Sequence, residues 1–235
     1  MKTAVVTHVG LVKEQNEDRF LIKEFSVDSV LIAVADGAGG TPAGQEASGV
    51  VIEQINDFQP DSPTPEANLV RLMQEADQKI FGIVEKEPDL KGMGSTLTAA
   101  FVRGEAVFWA HVGDSRLYLF RDDELTQITE DDTMAGFLLT EGEITREEAR
   151  VHPGRNFLFD FIGSGKFEEE TGSFTLRKGD LLLLTTDGLH DRVEEETLVS
   201  ILRSNGELDK RLDGLVAIAL KESGKDNVTV VGVEV

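Results

Sequence analysis

Runs of β-branched and aliphatic residues, each broken by Gly or Asp, recur along the whole chain. Read as strands, they are Ala4–Val9, Arg19–Glu24, Val30–Ala35, Leu97–Arg103, Ala106–Val112, Arg116–Arg121, Gly172–Leu176, Asp180–Thr186 and Val228–Val235. Arg103-Gly104-Glu105, Gly113-Asp114-Ser115 and Arg121-Asp122-Asp123-Glu124 separate neighbouring runs by no more than a turn, so each reads as a hairpin and much of the sheet as antiparallel. Elsewhere the period becomes helical. One helix opens with Thr64 as N-cap and Pro65 at the first helical position, and carries Leu69, Leu72, Met73, Ala76, Ile80, Ile83 and Val84 on one face until Pro88. The last runs from Leu208 to Glu222, with Leu212, Leu215, Val216, Ala219 and Leu220 inward and Gly224 as its left-handed stop. Further helices are predicted over Ala43–Phe58, Thr145–Val151 and Glu194–Arg203; Thr145 and Glu148 stand at capping-box spacing. Helices lying between antiparallel pairs predict an α+β layered sandwich. The only loop-like composition of any length, Phe58 to Pro65, is too short to separate domains, so residues 1–235 read as one.

Composition narrows the function. No apolar run exceeds about six residues, which is too short to cross a bilayer, and the first eight residues lack the apolar core of a signal peptide; we expect a cytoplasmic, soluble protein. The absence of cysteine removes disulfides, thiolate metal sites and cysteine nucleophiles, so the chemistry must come from oxygen or nitrogen. The 23 basic and 44 acidic residues leave a net charge of −21, a field that repels nucleic acid. No phosphate-cradling Gly-x-x-x-x-Gly-Lys pattern or Gly-x-Ser-x-Gly elbow occurs.

Most of the acids read as a solvated surface, but some occupy special places. Asp36 ends the apolar run Val30–Ala35 and precedes Gly37-Ala38-Gly39-Gly40; Asp187 ends Leu181–Thr186 and precedes Gly188; Asp226 opens the last strand. A single Asp-Gly at a strand end is an ordinary turn. Three carboxylates at the ends of buried strands are placed to converge, and oxygen ligands without cysteine and with four scattered histidines suit Mg²⁺ or Mn²⁺ better than zinc. The glycines after Asp36 would also expose the Gly37 carbonyl as a ligand. Asn16-Glu17-Asp18 is a second acidic group or a polar turn, and Gly113-Asp114-Ser115-Arg116 reads as a structural hairpin turn.

In order and spacing, Gly10 to Asp18, Val34 to Gly40, Gly94-Ser95-Thr96, Val112 to Arg116, Leu125 to Asp131, Thr186 to Asp191 and Gly224 to Thr229 resemble the motifs of the metal-dependent protein serine/threonine phosphatases of type 2C, in their compact bacterial form. The resemblance implies a four-layer α-β-β-α sandwich with two central, mainly antiparallel sheets. It implies that Asp36 bridges two Mn²⁺ or Mg²⁺ ions, that Asp187 and Asp226 bind one and the Gly37 carbonyl the other, and that Glu17 and Asp18 hold their waters. Asp131 and Asp191, with Asp187, match a third metal position. Lys13 stands where the family has a phosphate-gripping Arg, Ala38 where it has His or Met, and Asp132-Thr133 where it has His-Ser. Residues 133–163 look like the family's mobile flap beside the substrate. The implied activity is hydrolysis of phosphoserine and phosphothreonine in proteins, by a monomer that opposes a serine/threonine kinase, with no nucleic-acid or membrane partner. The competing reading, motivated by Lys13 and Ala38, is a phosphoprotein-binding regulatory module with little turnover.

Overall fold

The computed structural model describes residues 1–40 and 42–235, and of Pro88 the backbone alone. The strands are β1 (Lys2–His8), β2 (Arg19–Ser26), β3 (Ser29–Ala35), β4 (Gly37–Ala38), β5 (Gly94–Ser95), β6 (Leu97–Arg103), β7 (Ala106–Val112), β8 (Arg116–Arg121), β9 (Glu124–Gln127), β10 (Glu170–Thr175), β11 (Leu181–Thr185) and β12 (Val228–Glu234). The helices are α1 (Ala43–Ile55), α2 (Pro65–Lys86), α3 (Met134–Thr140), α4 (Arg146–Val151), α5 (Asp187–His190), α6 (Glu195–Leu202) and α7 (Leu208–Glu222). One sheet has the order β1-β12-β11-β8-β9 and the other β10-β7-β6-β3-β2; every pairing in both is antiparallel.

Side-chain alternation explains the layering. Along β3, Val30, Ile32 and Val34 point between the sheets to meet Leu117, Leu119, Leu182, Leu184, Val231 and Val233. Leu31, Ala33 and Ala35 point the other way, onto Val51 and Ile55 of α1 and Leu72, Met73 and Ala76 of α2. A strand buried on both faces needs an unbroken apolar run, which is what the sequence displays. On the far side Leu212, Leu215 and Ala219 of α7 cover Leu181, Leu183 and Val230. The result is the expected α-β-β-α sandwich.

Local signals hold with some differences. The Thr145 hydroxyl accepts from the Glu148 N–H at 3.2 Å while the Glu148 carboxylate accepts from the Thr145 N–H at 2.8 Å, completing the capping box of α4. Gly224, at φ +56°, ends α7 and donates to the Ala219 carbonyl at 3.1 Å. Thr64 precedes α2 but its side chain makes no capping bond; Pro65 at the first position lacks an N–H and so leaves one donor fewer to satisfy. Two of the three expected hairpins are real: Gly104 (φ +61°) joins β6 to β7, and Asp122 and Asp123 (φ +51° and +66°) join β8 to β9. The third is not. β7 and β8 belong to different sheets, and Gly113-Asp114-Ser115 carries the chain across the gap between them. Gly113 adopts φ +107°, and a Cβ there would lie 2.6 Å from the Thr96 methyl, so this crossing needs glycine.

Candidate metal centre

The antiparallel registers bring many chain reversals to one edge of the sandwich. Ala35 at the end of β3 pairs with Arg19 at the start of β2, His8 at the end of β1 with Val228 at the start of β12, and Thr185 at the end of β11 with both Val230 and Arg116. Asp36, Asp187, Asp226, Glu17 and Asp18 therefore emerge together, from segments more than two hundred residues apart in sequence at the extremes.

Tight backbone packing sets their positions. A Cβ on Gly188 would fall 1.9 Å from the Asn227 carbonyl oxygen, so only glycine lets the turn carrying Asp187 touch the turn carrying Asp226. A Cβ on Gly37 would likewise fall 1.9 Å from the Gly44 carbonyl, which seats the Asp36 turn against α1. The Asp36 N–H donates to the Thr96 hydroxyl at 3.0 Å and its carbonyl accepts from the Thr96 N–H at 2.9 Å. The Asn227 side chain receives the Glu17 N–H at 2.8 Å and donates to the Val9 and Gln15 carbonyls at 2.9 and 3.0 Å, tying the acidic loop before β2 to the Asp226 turn. The hydroxyls of Thr186 and Thr229 donate to one Asp18 oxygen at 2.8 and 2.7 Å.

The electrostatics are those of a cluster with too little counter-charge, its cations confined to the rim residues Asp226 and Asp191. Burial pushes Asp36 and Asp187 well above the usual carboxylate range; Asp18, Asp187, Asp114 and Asp226 reinforce the effect on Asp36, and Asp114, Asp191, Asp226 and Asp18 that on Asp187. Burial lifts Asp18 to about 6 against the pull of its two threonine hydrogen bonds. Among the described residues, no Lys, Arg or His is ion-paired with Asp18, Asp36, Asp114 or Asp187. The second oxygen of Asp18 and one oxygen of Asp187 are buried without a hydrogen-bond partner. Orphaned carboxylate oxygens in a hard, oxygen-only donor set fit divalent cations such as Mg²⁺ or Mn²⁺. No three of these side chains among the described residues already form a closed ligand cage; Asp36 and Asp187 instead keep a half-exposed face at the mouth of the cluster.

The remaining expected residues divide. Asp226 joins the cluster, held at 2.9 Å by the Lys13 ammonium. Burial opposes the Lys13 charge, but its hydrogen bond and attraction to Asp226, with Glu17 and Asp36 beyond, raise its pKa overall. Asp191 joins it too, and accepts from Arg155 at 3.3 Å and from the Asn156 amide at 3.3 Å; that amide also reaches Asp187 at 3.4 Å. Asp131 is differently engaged: both its oxygens are gripped by Arg116, at 2.8 and 2.5 Å, and one also accepts from Gln127 at 3.0 Å. This pairing, outweighing burial, lowers its pKa. The sequence places Asp114 in a hairpin turn, yet the crossing from β7 to β8 delivers it to the cluster. Burial, with the charges of Asp131 and Asp191, pushes it to about 7. A glycine-flanked carboxylate between two apolar runs was the available signal, and the assumption of a hairpin concealed it. The four histidines are all engaged structurally: His8 and His152 accept from backbone N–H groups, and His111 and His190 are buried against Thr98 and Thr185. Burial lowers His111 to about 4 and His190 well below its usual value, so both are neutral.

Comparison with known proteins agrees with this geometry. Residues 11–219 match the protein phosphatase 2C family. The chain is 41% identical over 225 residues to the serine/threonine protein phosphatase PstP of Mycobacterium tuberculosis, an alignment that takes in 93% of this chain but 44% of that protein, so the chain spans about half the length of this relative. It is 36% identical to the serine/threonine phosphatase stp of Listeria innocua, with 97% of this chain and 93% of that one aligned. The catalytic domain of PstP, solved in complex with two manganese ions, superposes with a TM-score of 0.85 at 39% identity, covering 98% of this chain and 96% of that one. With its sandwich, its strand-end aspartates and its matched motifs taken together, the chain belongs to the protein phosphatase 2C family.

Proposed function

We propose that this chain hydrolyses phosphoserine and phosphothreonine in proteins, using two Mn²⁺ or Mg²⁺ ions and a weaker third. The observation that carries the reading is the convergence of Asp36, Asp187, Asp226, Asp18 and Asp114 at one open edge, with orphaned oxygens and almost no cationic partner. Asp36, Asp187, Asp226 and the Gly37 carbonyl are the donors for the first two ions, with Glu17 and Asp18 supporting them. Asp114, Asp187 and Asp191 are the donors for the third; Asp131 serves as the anion that orients Arg116.

When bound, such ions activate water for in-line attack and offset the charge of the transferring phosphoryl group. The protein's own part is to place and neutralise. Thr186 and Thr229 fix one oxygen of Asp18 so that the other faces the cluster. Lys13, held on Asp226, and Arg155, held on Asp191, are cations at the cluster that could turn to a phosphate oxygen, and Lys13 is the one at the family's phosphate-gripping position. All four histidines are engaged structurally, which leaves a water at the site as the proton source for the leaving alkoxide in this reading. A cytoplasmic monomer opposing a serine/threonine kinase is the setting that fits this activity; among the described residues no helix is long and apolar enough to cross a membrane.

The test is release of inorganic phosphate from a phosphothreonine peptide in millimolar Mn²⁺, against the same assay in chelator. Metal-dependent turnover supports the proposal. Tight peptide binding with no turnover in any divalent cation would favour the regulatory module instead.

A further inference from the structure

Exposed apolar side chains are concentrated in the segment that carries Asn156. Of the eleven large hydrophobic residues exposed among the described residues, five (Met134, Phe137, Val151, Phe157 and Phe159) lie between residues 133 and 163. Phe157 and Phe159 are 63% and 44% exposed and meet edge to face, with ring centroids 5.8 Å apart. Their backbone is pinned. Leu158 bridges to Thr133, the Phe157 carbonyl accepts from Met134 at 3.2 Å, and the Phe159 N–H donates to the Asp132 carbonyl at 2.8 Å. Residues two apart in an extended segment project to the same side, so the two rings form one fixed surface.

That surface is continuous with the metal centre. Asn156, the residue before Phe157, is the one whose amide reaches Asp187 and Asp191. Beside Asp226, Leu11 and Val12, each 68% exposed, precede Lys13, and the Leu11 N–H is anchored to the Gly224 carbonyl at 2.6 Å. Two exposed apolar segments thus adjoin the carboxylate cluster, each still largely open to solvent.

We propose that these segments, through Phe157 and Phe159 in one and Leu11 and Val12 in the other, bind large apolar side chains flanking the phosphorylated residue of an extended, non-acidic protein segment. The inference rests on the phosphatase reading and deepens it by naming the class of phosphosite preferred. The occupant follows from continuity and charge. Asn156 touches Asp187 and Asp191 and Lys13 touches Asp226, so a segment that presents its phosphate to the cluster comes beside residues 156–159 and 11–13. A second copy of this chain is the poorer occupant, because two bodies of net charge −21 repel each other. The same field disfavours acidic segments and favours apolar ones that also carry Lys or Arg.

The experiment uses the whole chain in Mn²⁺ and three phosphothreonine peptides whose flanking residues are Leu/Phe, Ala or Glu. Turnover and fluorescence-anisotropy binding are both measured, with p-nitrophenyl phosphate as a substrate too small to reach either segment. The expected order of kcat/KM is Leu/Phe above Ala above Glu. The double variant Phe157→Ser with Phe159→Ser should raise KM for the Leu/Phe peptide roughly tenfold, about the effect of losing one half-buried aromatic contact. Turnover of p-nitrophenyl phosphate should not change. Equal wild-type kcat/KM for the Leu/Phe and Ala peptides, or a preference that survives in the double variant, overturns the proposal. Self-association of the wild type that the double variant abolishes assigns the surface to a second copy and also overturns it. Absence of turnover on every substrate with the binding order intact would sink the phosphatase reading while leaving the docking surface in place.

Discussion

Replacing Asp114 by Asn removes a charge and keeps the shape, so it isolates what that charge costs. In the folded protein the carboxyl is pushed from its ordinary 3.8 to about 7 by burial and by Asp131 and Asp191. A displacement of that size corresponds to roughly 4 kcal/mol, and because part of the repulsion is shared with neighbours that can respond, a gain of about 2–4 kcal/mol is expected on neutralisation. A raised folded pKa means that the folded state holds the proton more tightly than the unfolded one. The favourable contribution is therefore fully present below about pH 4 and is lost as pH rises to about 7. In chelator at pH 8, Asp114→Asn should melt above wild type by roughly 4–16 °C, using about 2–4 °C per kcal/mol for a chain of this length. At pH 4 the two should coincide. In saturating Mn²⁺ the order should reverse or vanish, since the wild-type carboxylate then has a cation to face and the amide is a poorer donor to it. Differential scanning fluorimetry under the three conditions is sufficient. A chelated variant no more stable than wild type at pH 8, or a gain that persists at pH 4, would refute the argument that Asp114 is a charged group stored without a partner.

Asp36→Asn, Asp187→Asn and Asp226→Asn should each lower kcat by orders of magnitude with unchanged circular dichroism, and near-normal turnover in any of them would remove that residue from the site. Asp131→Ala should instead act through stability, costing about 3–5 kcal/mol because it strands the largely buried Arg116 guanidinium, while calorimetric Mn²⁺ stoichiometry stays as in wild type. Lys13→Ala should raise KM with little change in kcat and Lys13→Arg should lower it; two variants kinetically identical to wild type would show that the ammonium never leaves Asp226 for the phosphate. Gly188→Ala must push apart the Asp187 and Asp226 turns, since its methyl would stand 1.9 Å from the Asn227 carbonyl oxygen, and a soluble variant with normal metal affinity would contradict that packing.

The sequence was most informative where burial is complete. The unbroken run Val30–Ala35 announces a strand covered on both faces, and Leu208–Glu222 a helix with one apolar stripe, because in each case a single neighbouring surface dictates the pattern. It was least informative where side chains answer to something other than the core. Met134–Thr140 went unread as a helix because Phe137 faces solvent and breaks the period. Asp187–His190 is one turn long and its aspartate serves the cluster. Asp114 and Asp131 are both carboxylates beside strands, and local spacing cannot distinguish one that meets Arg116 from one that meets Asp187. That distinction is made by which sheet β8 joins, a nonlocal fact. The family motifs located the metal centre as a region, whereas the division of roles inside it depended on cross-strand neighbours.

The pairing of β12 between β1 and β11 also bears on when the site comes into existence. During synthesis β1 precedes by more than two hundred residues the strand it pairs with, Lys2 against Glu234 and His8 against Val228. The sheet holding helices α1 and α2 is built from earlier segments and can close before then, but until β12 arrives β1 has no strand beside it and Asp226 has not been delivered beside Asp187. A nascent chain stalled before residue 226 thus carries Asp36 and Asp187 without a functioning centre. High sequence separation between paired strands, the topological feature that slows folding, therefore ties completion of the carboxylate cluster to insertion of β12 between β1 and β11.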